Sequence, residues 1–380
     1  MGRRQPGAPL PTCHRVGMVI GSTRDMHKLE DDLAEWLAEK LPAGAEPQIL
    51  GIDSPPNTGM SSETLLFDVE ATIDGERSVR RHVARLEPQA SDHPVFNEYD
   101  LALQYRCLRL VAEHTDVPVP VAEWYEPDPS RLGNPFFVMD RIDGEAPSDN
   151  PPYVFGGWLL DASPDDRRRL QDGLVSVLAR LHAIDIETAD VAFLDRPRFG
   201  STPLDQHLNA QRDYYEWARE GRDFRVIDRA FDWLEANRPE DPGPTVVNWG
   251  DARIGNVLWR DFEPVAVLDW EMAALGAPEV DLAWSVHIHD FFNAVAQKME
   301  MPVMEGFFER DDVIATYERL SGRSVANYDY YEVFAGIRYA IVSIRAGEAS
   351  VRSGMRPAPD HHDDLIMNGE LLDAMLDRLG

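Results

Sequence analysis

The sequence predicts an α+β fold: a small antiparallel sheet with flanking helices in the N-terminal part, then a larger, mainly helical C-terminal part. Three observations predict it. Strand-like runs cluster early, with Asp74-Gly75 set between two of them. From about Asp143 onward apolar residues recur at helical spacing instead. One short β island, Thr245 to Trp270, interrupts that helical stretch.

Each element has a local cause. Leu29, Leu33, Trp36, Leu37 and Leu41 share one helical face, so a helix is expected from Asp25 to Leu41, ended by Pro42 and Gly44. Strands are expected at Pro47–Asp53, Thr64–Ala71 and Ser78–Leu86, a helix at Phe96–Glu113, and strands at Val121–Tyr125 and Asn134–Ile142. Ser163-Pro164-Asp165-Asp166 combines a cap, a first-turn proline and N-terminal acids. The helix it starts buries Leu170, Leu174, Val177, Leu178 and Leu181. Further helices are expected at 203–220, 224–237, 279–297, 311–321, 328–346 and 361–379. In the β island, two short strands flank the turn Arg260-Asp261-Phe262-Glu263-Pro264.

Composition excludes several function classes. The 380 residues suffice for one large or two modest domains. The expected division is a leader at 1–24, disordered, a sheet region with one long helix at 25–139, and a helical region at 140–380. The apolar stretch Val16–Ile20 is too short for a signal peptide, and no run is long enough to span a bilayer. With only Cys13 and Cys107, a disulfide is not expected and the cytoplasm is the default location. A net charge of −30 argues against nucleic-acid or anionic-membrane partners. Lysine occurs only at 28, 40 and 298, so arginine carries nearly all positive charge.

Three polar residues in and beside the β island stand at suggestive intervals: Asp251, Asn256 five positions later, and Asp269 thirteen further on, after the apolar run Val265–Leu268. Phosphoryl transfer needs one carboxylate to steer the attacking hydroxyl, and an amide plus a carboxylate to hold Mg²⁺. A loop on a strand frame suits such groups. A hairpin would bring Asn256 and Asp269, both oxygen donors, to one metal.

These residues carry a family resemblance. Trp249-Gly250-Asp251 to Asn256, then Leu268-Asp269-Trp270-Glu271 and Gly276-Ala277-Pro278-Glu279-Val280-Asp281-Leu282-Ala283, resemble the aminoglycoside phosphotransferase family. More narrowly, they look like a mycobacterial-type branch that is similar to the kinase-like domain fused to some acyl-CoA dehydrogenases. The resemblance runs from about Asp25 to the C-terminus. It implies a protein-kinase-like bilobal fold and ATP- and Mg²⁺-dependent transfer of the γ-phosphoryl group to a small-molecule hydroxyl, in a monomer or homodimer. The acceptor is an aminoglycoside-like compound or a metabolite such as a hydroxyacyl thioester. A nucleotide-binding module without transfer activity is the alternative.

Position by position, the resemblance makes Asp251 the catalytic aspartate and Asn256 and Asp269 the metal ligands. Asp281 becomes a buttress for the backbone of the catalytic loop, and His182 a satisfied core histidine. Thr58-Gly59-Met60-Ser61-Ser62 resembles the nucleotide loop, so Gly59, Ser61 and Ser62 are expected at the phosphates. Arg85 stands where the family has its phosphate-binding cation. Its partner on the following helix is left open among Gln104, Glu98 and Asp100. Phe136–Ile142 resembles the hinge, with adenine expected at backbone groups of Asp140 and Ile142 and Met139 nearby. Trp249 stands where most of the wider family has histidine; an indole would hold the loop by packing, with a single N–H donor. His287 and His289, two apart on a helix, do not share a face and are not expected to form a metal site.

Overall fold

The computed structural model describes residues 26–54, 62–88 and 94–380. The expected leader and most of the expected nucleotide loop, Gly59 and Ser61 included, lie outside the described residues. Helix α1 (Met26–Lys40) buries Leu29, Leu33, Trp36 and Leu37 on one face of a five-stranded sheet. The strands are β1 (Gln48–Asp53), β2 (Glu63–Ile73), β3 (Glu76–Leu86), β4 (Ala122–Glu126) and β5 (Phe136–Asp140). Their order is β1-β2-β3-β5-β4, and all neighbours run antiparallel. Asp74 and Gly75 turn between β2 and β3 with φ of 52° and 83°, the positive pair that a tight two-residue hairpin requires.

Strand β5 alternates between two cores. Phe136 and Val138 pack with α1, whereas Phe137 and Met139 join α2 (Leu101–His114) and the larger apolar core beyond it. Helix α2 begins later than its apolar pattern suggests, because the Asp100 carboxylate accepts the Leu103 N–H at 2.8 Å and caps it.

The C-terminal part is built from α3 (Trp158–Asp161), α4 (Pro164–Leu181), α5 (Pro203–Arg219), α6 (Arg225–Ala236), α7 (Glu279–Lys298), α8 (Arg310–Ser321), α9 (Tyr328–Arg352) and α10 (Gly369–Leu379). Ser163 caps α4 by accepting the Asp166 N–H at 3.1 Å, as its sequence requires. Helix α9 is the buried axis, packed by α5, α6, α7 and α10. The expected helix 361–379 is divided into a 3₁₀ turn, His362–Leu365, and α10.

Between α6 and α7 lie β6 (Val246–Asn248), β7 (Val257–Arg260), β8 (Glu263–Val267) and β9 (Ala274–Gly276). Strand β7 pairs with β8 across Asp261-Phe262, both at positive φ, while β6 pairs with β9, which the sequence pattern does not announce. No helix among the described residues is long and apolar enough to cross a membrane.

Candidate active site

The loop after β6 is fixed by its backbone before any side chain enters the cleft. Asp281, in the first turn of α7, accepts the N–H groups of Trp249 at 2.8 Å and Gly250 at 2.7 Å. His182, at the end of α4, contacts the same carboxylate at 3.0 Å and Tyr317 of α8 at 2.9 Å. All three side chains are buried, so the turn is tied to three helices at once. This is the buttress expected for Asp281, and His182 is a satisfied core histidine. Gly250 has a φ of +88°, and a Cβ there would lie 2.0 Å from the Met272 carbonyl oxygen, so only glycine fits. Arg338 of α9 donates to the Gly250 carbonyl at 2.8 Å.

The turn delivers Asp251 into a ring of donors. Its Oδ1 accepts Trp284 Nε1–H at 2.6 Å, and its Oδ2 accepts Asn256 Nδ2–H at 2.6 Å. Arg253 Nε lies 3.1 Å from both oxygens. Burial pulls the Arg253 pKa down, but the Asp251 and Asp149 carboxylates outweigh it and hold the guanidinium above its ordinary value.

Asn256 and Asp269 are brought together by backbone pairing. The β7–β8 ladder continues one step past Val257 and Val267, through Leu268 N–H to the Asn256 carbonyl at 2.9 Å, so Asn256 stands opposite Leu268, the residue before Asp269. Trp249 adds a second tie: its Nε1–H reaches the carbonyls of Leu268 at 2.9 Å and Asp269 at 3.1 Å. Thus the indole secures the segment through its single donor as well as by packing 5.9 Å from Trp270, ring to ring. Asp269 itself has a φ of +60°, a conformation that aspartate tolerates better than most residues. Its Oδ1 is buried and receives no hydrogen bond. Burial raises its pKa; the Arg85 charge opposes that rise and the Asp251 charge adds to it. A buried, donor-free carboxylate oxygen beside an amide oxygen donor is a set that fits a hard cation such as Mg²⁺.

Arg85, on β3, faces this pair. Its Nη2 lies 3.7 Å from Asp269 Oδ1, and its Nη1 donates to Thr64 Oγ1 at 3.4 Å. Its Nε and Nη2 are buried without a hydrogen-bond acceptor. None of the three partners considered from the sequence meets it. Glu98 is paired with Arg198, Asp100 is used as the α2 cap, and Gln104 is buried in α2 without a hydrogen bond to Arg85. The acid facing Arg85 comes from across the cleft instead. Ser62, at the entry to β2, is buried and its hydroxyl has no partner among the described residues.

At the expected hinge, Met139 is buried and pairs with Val83 and Ala122 on either side. The Asp140 N–H bonds the Val121 carbonyl and the Arg141 N–H bonds the Arg81 carbonyl, each at 3.0 Å. The N–H of Ile142 has no such partner among the described residues. His287 and His289 diverge, the first to Asn368 at 3.0 Å, the second to Tyr153 at 2.8 Å and Asn293 at 2.9 Å.

Arg253 and Trp284 are absent from the residues expected at the site. Arg253 lies two positions after Asp251 and Trp284 three after Asp281, and both carry N–H donors close in sequence to an acid expected at the site. That was the available signal. The continuous apolar run of α7 hides it for Trp284.

Comparison with known proteins points to one family and one fold. The model of the phosphotransferase enzyme family (APH) matches residues 71–322. The chain is 25% identical over 305 residues to IBR3 of Arabidopsis thaliana, named a probable acyl-CoA dehydrogenase; the match covers 75% of this chain and 34% of that protein. It is 25% identical over 281 residues to acyl-CoA dehydrogenase family member 10 of Mus musculus, covering 69% of this chain and 24% of the relative. The chain therefore spans about a third or less of the length of these relatives. Among solved structures, it resembles a Ralstonia eutropha protein provisionally assigned as an aminoglycoside phosphotransferase, with a TM-score of 0.63, 20% identity, and coverage of 91% of this chain and 96% of that one. It also resembles aminoglycoside phosphotransferase APH(4)-Ia in a ternary complex with ADP and hygromycin B, with a TM-score of 0.56, 16% identity, and coverage of 91% and 98%. These likenesses establish the protein-kinase-like bilobal fold that the sequence led us to expect.

Proposed function

The chain belongs to the phosphotransferase enzyme family, and from that premise we propose that it is an ATP- and Mg²⁺-dependent O-phosphotransferase acting on a hydroxyl of a small molecule. One observation carries the proposal: a buttressed loop presents Asp251 beside Asn256, and backbone pairing sets Asn256 opposite Leu268, one residue before Asp269. This is the carboxylate, amide and carboxylate set that phosphoryl transfer uses.

In this reading Asp251 accepts the hydrogen bond of the acceptor hydroxyl, aims its oxygen in line with the γ-phosphorus, and takes the proton as transfer completes. Asn256 and Asp269 hold Mg²⁺, which, when bound, neutralises charge on the phosphate oxygens. Arg85 turns its unpartnered N–H groups to the phosphates, and the unpartnered Ser62 hydroxyl donates to them; Gly59 and Ser61, expected there too, lie outside the described residues. Adenine binds along Met139–Ile142, through the Asp140 carbonyl and the Ile142 N–H. Trp249, Arg85 and Gln104 are the departures that motivate the silent module; Trp249 bonds the Leu268 and Asp269 carbonyls and Arg85 faces Asp269, which supports the active reading, while Gln104 makes no hydrogen bond to Arg85.

For the acceptor we favour an anionic or neutral metabolite alcohol, such as a hydroxyacyl thioester. Support comes from the relatives named as acyl-CoA dehydrogenases. An aminoglycoside-like acceptor is the second reading. The net charge of −30 favours a cationic compound, and APH(4)-Ia binds hygromycin B on this fold. We place the enzyme in the cytoplasm, as a monomer or homodimer.

The test is an ATP-consumption screen against hydroxyacyl thioesters, aminoglycosides and macrolides, with Asp251→Ala as control. Turnover with one class, lost by orders of magnitude in the variant while ATP still binds, is the expected result. ATP binding without transfer to any acceptor would instead identify a silent module.

A further inference from the structure

Asp251 is held more tightly than an orienting carboxylate needs for its own burial. Trp284 Nε1–H and Asn256 Nδ2–H each reach one oxygen at 2.6 Å, and Arg253 Nε–H is shared between both at 3.1 Å. An ionised carboxylate offers about four acceptor directions, so these three donors leave room for about one more.

Two of the three donors are built in from a distance. Trp284 lies three residues after Asp281 on α7, hence on the same helical face. One face of one helix therefore grips the loop backbone through Asp281 and the side chain of Asp251 through Trp284. Arg338 locks that indole, its guanidinium 4.4 Å from the ring centre while it donates to the Gly250 carbonyl at 2.8 Å. Arg253 is pinned from the other side by an ion pair with Asp149, in the segment that follows the hinge strand. Room for that pair depends on Gly255: a Cβ there would lie 2.7 Å from Asp149 Oδ2.

The geometry points to Arg253 and Trp284 as positioning residues, a clasp that fixes both oxygens of Asp251 and leaves one open direction for a single acceptor hydroxyl. The inference rests on the reading of Asp251 given above. Asp149 anchors the clasp, so the chain leaving the nucleotide side is tied to the group that aims the acceptor.

The test uses Mg·ATP alone, with water as acceptor, and the variants Trp284→Phe, Arg253→Met and Asp251→Ala. Trp284→Phe keeps an aromatic ring and removes the donor, together with part of the buried indole. Hydrogen bonds to a charged group support a fall in kcat of about tenfold or more for each clasp variant, with the ATP KM and the affinity for a fluorescent ATP analogue unchanged. A spectroscopic readout is independent of turnover. The indole N–H resonance missing in Trp284→Phe identifies Trp284, and in Asp251→Asn that resonance should move upfield as the charged acceptor is lost. If Asp251→Ala abolishes hydrolysis but both clasp variants keep it, the clasp is overturned and Asp251 stands. Loss of nucleotide affinity in parallel with kcat, or an indole resonance indifferent to Asp251→Asn, also overturns it. If Asp251→Ala hydrolyses normally, the catalytic reading itself fails, whatever the resonance shows.

Discussion

Arg85 Nη2 and Asp269 Oδ1 face each other across the cleft at 3.7 Å, beyond hydrogen-bond reach, and both atoms are buried without another partner. Each has a charge that the protein alone leaves incompletely answered. A phosphate chain with its cation would answer both, the anion to Arg85 and the metal to Asp269.

Asp269→Asn should separate stability from function. Burial raises the folded-state pKa of Asp269, so the folded chain holds that proton more tightly than the unfolded one. Metal-free stability therefore falls as pH rises from the unfolded pKa through the folded pKa, and above the folded pKa the buried charge is a full penalty. Asparagine removes the charge and also suits the φ of +60°. The expected outcome at neutral pH is a higher Tm without ligand and loss of the extra stabilisation by Mg·ATP. A thermal melt with and without Mg·ATP checks it; a lower metal-free Tm would show that the Arg85 attraction outweighs desolvation.

Arg85→Ala should weaken Mg·ATP binding about tenfold or more, since a charge-assisted hydrogen bond contributes roughly 1.5–3 kcal/mol. Arg85→Lys should recover only part of it, because lysine brings a point charge without the two-pronged grip. Titration calorimetry gives the affinities. Equal binding by wild type and Arg85→Ala would remove Arg85 from the phosphate site.

Trp249→Phe should cost about 1–3 kcal/mol of stability, because it strips the donor from the Leu268 and Asp269 carbonyls while keeping an aromatic ring. Urea unfolding measures the loss. A change below a few tenths of a kcal/mol would mean that packing alone holds the segment.

What could be read from the sequence was local. The stripe of α1, the Asp74-Gly75 turn and the Ser163 cap each state their own conformation within a few residues. The spacing of Asp251, Asn256 and Asp269 is likewise a short hairpin, so its chemistry shows in one stretch of chain. The remainder depends on partners distant in sequence. Ala274–Gly276 contains no β-branched residue and becomes β9 only because Val246–Asn248 lies opposite it. The sequence leaves the partner of Arg85 open among Gln104, Glu98 and Asp100, but Gln104 makes no hydrogen bond to it, Glu98 and Asp100 are engaged by Arg198 and by the helix N-terminus, and its counterpart arrives from residue 269. The helix expected over 361–379 contains Asn368, whose side chain turns inward to the Gly336 carbonyl at 2.9 Å and to His287, and the chain bends there before α10.

Strand β5 also determines how the molecule comes apart. Because Phe136 and Val138 serve one core while Phe137 and Met139 serve the other, the strand is a shared wall, and neither side retains its packing when the other is lost. A cut near residue 140 would expose apolar surface on the N-terminal piece and remove a buried layer from the C-terminal one. The two lobes are thereby coupled in packing, and damage to the sheet reaches the apolar core of the helical body as well.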